Sequence, residues 1–145
     1  MKIKNLIITF VSAIALLVST STISFAKVVG DKIILGAAVS LTGKYSSNGV
    51  HTQNGYNLAV ERINSMGGVK VDGKSYKFEI IYYDDESNSG RAAQLAERLI
   101  KQDGVQFMLG PYSSGLTKAM APVSEKYQVP MVEANGASRS LFSKG

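Results

Sequence analysis

Short apolar runs alternate with longer stretches of helical spacing along most of the chain, and this alternation restricts its fold more than any other feature. Residues 33–39 (IILGAAV), 77–83 (KFEIIYY), 105–109 and 129–132 are brief, apolar and rich in β-branched or aromatic side chains, as strands of a covered sheet are. Between them the spacing predicts helices over residues 50–66, 90–102 and 116–127, with a further helical turn over 139–144. The order β-α-β-α-β-α-β implies crossover connections and a parallel, doubly wound α/β sheet of Rossmann type. In such a sheet every loop that follows a strand opens on the same edge, where these folds bind ligands. Those loops are residues 40–49, 84–89, 110–115 and 133–138.

Punctuation supports the pattern. Gly67 and Gly68 end the first helix, and Asp72-Gly73 marks a tight hairpin before the second strand. Asp84 and Asp85 close that strand and are expected to hydrogen-bond the neighbouring loop rather than act as an acid pair or a metal site. Ser87, Asn88 and Ser89 are N-cap candidates for the second helix, and Asp103-Gly104 stops it. Its core stripe is Ala92, Leu95, Ala96, Leu99 and Ile100. In the first helix Gly55, Ala59, Ile63 and Met66, with Leu58 beside them, form the expected inner face. Pro122 removes one backbone bond from the third helix and is expected to kink it.

The first 26 residues read as a leader rather than as fold. Lys2 and Lys4 precede an apolar run over residues 6–18, and Ser24-Phe25-Ala26 offers small residues for cleavage after Ala26. The run is shorter than the roughly 20 residues a membrane span needs. The chain has no cysteine, so neither a disulfide nor a lipid-bearing cysteine is available. Without Lys2 and Lys4, fourteen basic side chains face eleven acidic ones. That mild, scattered charge gives no footprint for nucleic acid.

The stretch Leu109-Gly110-Pro111-Tyr112-Ser113-Ser114-Gly115 carries the most chemistry. A strand ending in a Gly-Pro turn and opening on a two-serine helix start gathers free N–H groups and hydroxyls suited to an anionic acceptor. Ser113 can cap the helix and leave the Ser114 hydroxyl free; the plainer reading is that both only cap and turn. Tyr45 and Tyr112 offer either an aromatic wall or rim packing. His51 is the sole histidine and, with no cysteine, gives no zinc set; it reads as an exposed helix residue. Gly43-Lys44 lacks the preceding glycine of a phosphate loop, and no dinucleotide fingerprint or nucleophile–base pair is evident, which disfavours a secreted hydrolase-like or flavodoxin-like enzyme. No cofactor is implied.

Several of these segments, taken in order, resemble the start of type I periplasmic solute-binding proteins of ABC transporters, the leucine/isoleucine/valine-binding family. They are Leu35-Gly36 through Ser40-Leu41-Thr42-Gly43, Gly55 with Ala59-Val60-Glu61-Arg62-Ile63-Asn64, Gly67-Gly68, Tyr83-Asp84-Asp85, Leu109 through Ser114, and Pro130-Met131-Val132 with the loop behind it. The resemblance implies two α/β lobes closing on a small molecule, no catalysis, and delivery of the solute to a membrane permease outside the cytoplasm. Residues 27–145 would then be the amino-terminal part of the first lobe, with the rest of that lobe and the second lobe absent. It also implies that Ser114 holds the ligand carboxylate and that the Asn135 carbonyl accepts from a ligand ammonium. A threonine hydroxyl is usual where Ala137 stands; either Ser138 substitutes or the ligand is not an aliphatic amino acid. Asn135 and Gly136 read equally as turn residues. Asn48 falls in a third contact region, and Tyr112, Ser113, Gly136 and Ser138 complete the expected set. Branched-chain and other amino acids, amides, urea and aromatic acids all stay open as ligands, and an extracytoplasmic sensor input of the same fold is the alternative role.

Overall fold

The computed structural model describes residues 28–143, so the expected leader lies outside the described residues. Within them the order is β1 (Val28–Val29), β2 (Lys32–Val39), α1 (Ser46–Ser65), β3 (Val69–Val71), β4 (Lys74–Asp84), α2 (Ser89–Lys101), β5 (Phe107–Leu109), α3 (Ser114–Tyr127), β6 (Met131–Val132) and a 3₁₀ turn, Arg139–Leu141. The strands form one sheet in the order β3-β4-β2-β5-β6, with β1 paired to β2. β2, β4, β5 and β6 are mutually parallel, and β1 and β3 are short antiparallel additions. The doubly wound α/β fold expected from the alternation is therefore the fold observed.

The two faces of the sheet are filled differently. Successive side chains of a strand point to opposite faces. Ala38 and Met108 face α2 and α3, where Ala92, Leu95, Ala96, Leu99, Leu116 and Met120 complete a buried core. Gly36 lies on this face because there is no room for more: an added Cβ would sit 2.8 Å from Val105 Cγ2 and 3.0 Å from Met108 Sδ. Ile33, Leu35, Phe107 and Leu109 point the other way, toward α1, and line an apolar groove of about 460 Å³ together with Ile63 and Phe78.

Several boundaries differ from expectation for identifiable reasons. α1 begins at Ser46, not residue 50, because Gly43 turns the chain at φ 80° and the Tyr45 carbonyl already accepts from Gly49 N–H at 2.8 Å. Its inner face keeps only part of the expected stripe: Ala59 and Ile63 line the groove beneath α1, with Tyr56 and Val60 beside them. Gly55, Leu58, Ala59 and Met66 are exposed, whereas Gly49 and Thr52 are buried and Tyr56, Val60 and Ile63 half-buried. A glycine carries no burial signal of its own, and counting Gly55 as apolar rotated the stripe. β5 is only three residues long because Val105 instead donates its N–H to Leu99 O at 3.0 Å, closing α2. β6 begins at Met131 because Gln128, at φ 54°, is the left-handed end of α3. α3 runs from Ser114 to Tyr127 with Pro122 inside it, on an exposed position where water can serve the carbonyl that proline leaves unpaired. The α2 stripe is as expected, with Asn88 the cap: its Oδ1 accepts from Arg91 N–H at 2.9 Å.

Gly49 fixes how closely α1 approaches the rim. An added Cβ would lie 1.9 Å from Ser40 O, a backbone atom on a buried residue. Gly49→Ala is expected to lower the unfolding free energy by about 1–3 kcal/mol in urea melts, the usual cost of overpacking.

Candidate functional site

The carboxyl ends of β2, β4, β5 and β6 form one rim, and two adjacent carboxylates lock its first two loops together. Asp84 Oδ1 accepts from the N–H groups of Leu41 (2.9 Å), Thr42 (3.2 Å) and Glu86 (2.8 Å), and Oδ2 from the Thr42 hydroxyl at 2.7 Å. Asp85, fully buried, accepts at Oδ1 from the Ser40 hydroxyl (2.6 Å) and Ser87 N–H (2.8 Å), while its Oδ2 has no partner among the described residues. Tyr45 N–H donates to Ser87 Oγ at 3.0 Å and Ser87 Oγ donates to Thr42 O at 2.8 Å. The two acids thus do what the sequence implied, holding the loop over residues 40–45 against the loop that follows β4.

The environments pull the two acids apart. Burial pushes the Asp84 carboxyl up, but the hydrogen bonds from Thr42, Glu86 and Leu41 outweigh it and leave the pKa lowered. Burial dominates at Asp85 and raises its pKa, against the opposing bonds from Ser40 and Ser87.

The two-serine turn is built as expected. Ser113 is the N-cap of α3, its Oγ accepting from Leu116 N–H at 3.4 Å. Ser114 opens the helix, and its Oγ accepts from Ser138 N–H at 3.1 Å. The Ser114 oxygen is therefore engaged by Ser138 while its own O–H proton has no acceptor among the described residues. A hydroxyl so placed, on the first turn of a helix, is a directed donor toward an anion.

The loop after β6 completes this side. Gly136 lies over Thr117, where an added Cβ would be 2.7 Å from Leu141 Cδ1 and 3.0 Å from Thr117 Oγ1, so the Leu141 side chain would have to shift. Ala137 is exposed. Ser138 spends its N–H on Ser114 and pairs its hydroxyl with that of Ser140 at 2.9 Å, so its first contribution is to orient Ser114. On the α1 side, Asn48, His51, Thr52, Tyr56, Tyr112 and Asn135 border a cavity of about 420 Å³. Tyr112 meets Tyr45 edge-on, ring centroids 5.7 Å apart. His51 is exposed on the α1 side of this cavity. The predicted residues thus fall into two neighbouring groups joined through the loop over residues 133–138: Ser113, Ser114, Gly136 and Ser138 on the α3 side, Asn48, Tyr112 and Asn135 on the α1 side. Among the described residues no group of three or more acidic, histidine or cysteine side chains is arranged to hold a metal ion.

Three residues with no local sequence signal meet at this junction: Tyr56, Thr117 and Glu133. Tyr56 donates its hydroxyl to Gly110 O at 2.7 Å, and burial, aided by the charge of Glu133, pushes its pKa up to about 12. Glu133 accepts at Oε2 from the Thr117 hydroxyl (2.7 Å) and at Oε1 from the N–H groups of Asn135 and Gly136 (both 2.5 Å). The facing glycines, Gly110 and Gly136, were the only sequence signal of a side chain needing space there.

A family model described as periplasmic binding protein matches residues 32–143. The chain belongs to the periplasmic binding protein family. The Leu/Ile/Val-binding protein BraC3 of Rhizobium johnstonii is 28% identical over 125 residues, 86% of this chain and 33% of that protein. The structure of the branched-chain amino acid transporter substrate-binding protein LivJ from Streptococcus pneumoniae, in complex with isoleucine, superposes with a TM-score of 0.69 at 31% identity, covering 76% of this chain and 30% of that one. A solute-binding protein of an ABC transporter from R. palustris, in complex with 4-hydroxybenzoate, gives a TM-score of 0.64 at 29% identity, covering 79% and 30%. The chain thus spans about a third of the length of the curated relatives it matches.

The acid pair yields a test of the rim's electrostatics. A group whose folded pKa is raised contributes stability below its unfolded pKa, here near 3.8, and loses it as pH rises through the folded value. Asp85→Asn keeps an acceptor for Ser40 and Ser87 without a buried charge. Its melting temperature is expected to gain on the wild type as pH rises from about 3.8 through the raised folded pKa of Asp85 and to run parallel above it. Curves parallel throughout would contradict a raised Asp85.

Proposed function

We propose that this chain forms one wall of the ligand cleft of an extracytoplasmic solute-binding protein serving an ABC importer, and that it binds rather than transforms its ligand. The observation that carries the reading is the Ser114 hydroxyl: fixed from behind by Ser138 N–H, on the first turn of α3, and on the same rim as the loop containing Asn135. Isoleucine and 4-hydroxybenzoate, the molecules bound by two similar structures, share a carboxylate, the group such a donor suits. In this reading Ser114 grips the carboxylate, with Ser113 shaping the turn. Asn135, Gly136 and Ala137 form the loop over the ligand's neighbouring atoms, and Ser138 orients the grip. Tyr112, with Tyr45 behind it, and Asn48 flank the adjoining cavity. An amino acid of branched-chain type or a related small carboxylate is the proposed ligand, a membrane permease the proposed partner. Residues 1–26 are the proposed export leader, cleaved after Ala26, which would deliver the mature chain to the periplasm.

One rim grips but does not enclose. A charge-assisted hydrogen bond contributes about 1.5–3 kcal/mol and a helix N-terminus roughly 0.3–2, against the about 8 kcal/mol of micromolar affinity. The chain is therefore expected to bind isoleucine or 4-hydroxybenzoate in the millimolar range, read as amide shifts at Ser114 to Thr117 and Asn135 to Ser138 in a ¹⁵N-labelled sample. Ser114→Ala should weaken the interaction by about tenfold or more, the worth of one such bond. Sub-micromolar binding by calorimetry, or rim amides unmoved by either compound at about 50 mM, well past a millimolar Kd, would overturn the reading.

A further inference from the structure

Glu133 lies at the end of β6, directly before the loop assigned above to the ligand, yet its carboxylate points into the protein rather than into the cleft. Both oxygens are occupied. Oε1 receives two consecutive loop N–H groups, Asn135 and Gly136, each at 2.5 Å, and Oε2 receives the Thr117 hydroxyl at 2.7 Å from the second turn of α3. Thr117 is 2% exposed and cannot turn to water. Its single hydroxyl proton has a second acceptor in reach, Ser113 O at 2.9 Å, so the hydroxyl sits between the two-serine turn and the carboxylate.

The surroundings are shaped around this side chain. A Cβ on Gly110 would fall 2.1 Å from Glu133 Oε2 and 2.8 Å from its Cδ, and one on Gly136 3.1 Å from Cδ. Gly110 has no positive φ, so its need is for space and not for conformation. The carbonyl of the same Gly110 accepts from Tyr56 of α1, and its N–H donates to Val132 O at 2.8 Å. One carboxylate thus ties β6 to α3 and abuts the β5 turn that Tyr56 holds to α1.

We propose that Glu133 is the positioning residue of the ligand loop. By accepting from Asn135 and Gly136 it fixes the loop's height over α3, which sets where Ser138 N–H meets Ser114 Oγ. It also withdraws the Asn135 and Gly136 N–H groups from the cleft, which leaves an anion on this side to the Ser114 hydroxyl and the first turn of α3. This role rests on the assignment of these loops to a ligand, but the hydrogen bonds themselves are measurable without one.

The test uses the full chain, ¹⁵N-labelled and ligand-free, as wild type, Glu133→Ala and Glu133→Gln, each then titrated with isoleucine. In the wild type the Asn135 and Gly136 amides should resonate downfield and resist hydrogen exchange, as N–H groups bonded to a charged acceptor do. Glu133→Ala should lose both signatures, with protection falling about tenfold or more for one lost charged bond, while core amides such as Leu99 and Met108 hold. Glu133→Gln keeps an acceptor oxygen but not the charge: the two amides should move upfield yet stay protected. That arm alone decides if the alanine variant does not fold. Isoleucine affinity should fall about tenfold in Glu133→Ala and be largely rescued in Glu133→Gln. Asn135 and Gly136 amides unchanged in either variant overturn the proposal, as does a glutamine variant no better than alanine. If those amides respond as expected and isoleucine fails to bind even the wild type, the ligand reading falls and the positioning role stands.

Discussion

Strand β2 is paired in parallel on both sides, to β4 along its whole length, Lys32 to Val39, and to β5 over Leu35, Gly36 and Ala37. The strand next in sequence among the parallel set lies on one side of β2, and the strand after that lies on the other, so the chain reverses its winding direction at β2. At such a reversal the loops leaving the two flanking strands part and open a crevice at their carboxyl ends. β2 can take this position because Gly36, Ala37 and Ala38 are small enough for helices to settle close on the sheet. Ala37 and Ala38 are wholly buried, and the Gly36 site is already bounded by Val105, Met108 and Leu99. Larger residues would lift α2 away from the sheet, and with it the Asn88 cap and the Asp84–Asp85 end of β4.

The rim then depends on side chains that hold backbone rather than on side chains that reach for a ligand. Asp84 and Asp85 anchor the first loop, Ser113 and Thr117 the third, Glu133 the fourth. The three acids and Ser113 satisfy N–H groups that a loop cannot pair with its own backbone, while Thr117 donates its hydroxyl to Glu133. Asp84 does so with four bonds while still partly in contact with water, whereas Asp85 is buried with one oxygen unpaired among the described residues. The same device therefore stabilises the charged acid in one case and disfavours it in the other, which is why two neighbouring aspartates move in opposite directions.

What the sequence reveals of this arrangement follows from which interactions are local. α2 was legible because its stripe and its cap lie within one helix: Ala92, Leu95, Ala96 and Leu99 are buried and Asn88 caps Arg91. The parallel topology was legible because strand and helix alternate at fixed spacing. α1 is less legible because its inner face is set by Gly49 against Ser40 and by Tyr56 reaching Gly110, contacts across nine and fifty-four residues of chain that periodicity does not record. Ser113 and Ser114 announce themselves as a cap and its neighbour. Glu133 does not, because a glutamate after a strand reads as a solvated loop residue until Thr117 and the two glycines are placed around it.

Ser113 shows most directly how much of the fold is spent on aiming one hydroxyl. It sits at φ 84° and ψ 140°, a region that residues with a Cβ rarely enter and that costs of order 1–3 kcal/mol. A serine cap normally returns about 1 kcal/mol, but here the capping bond is 3.4 Å long, at the weak end of the range. The cap alone does not offset the strain. Surrounding contacts must hold the residue there: the fully buried Pro111 before the turn, Tyr112 against Tyr45, and Thr117, whose N–H donates to Ser113 O at 3.1 Å. A turn relaxed to negative φ would swing the start of α3 and carry Ser114 Oγ off Ser138 N–H. Strain held at this one residue is thus the counterpart of a directed donor at the next.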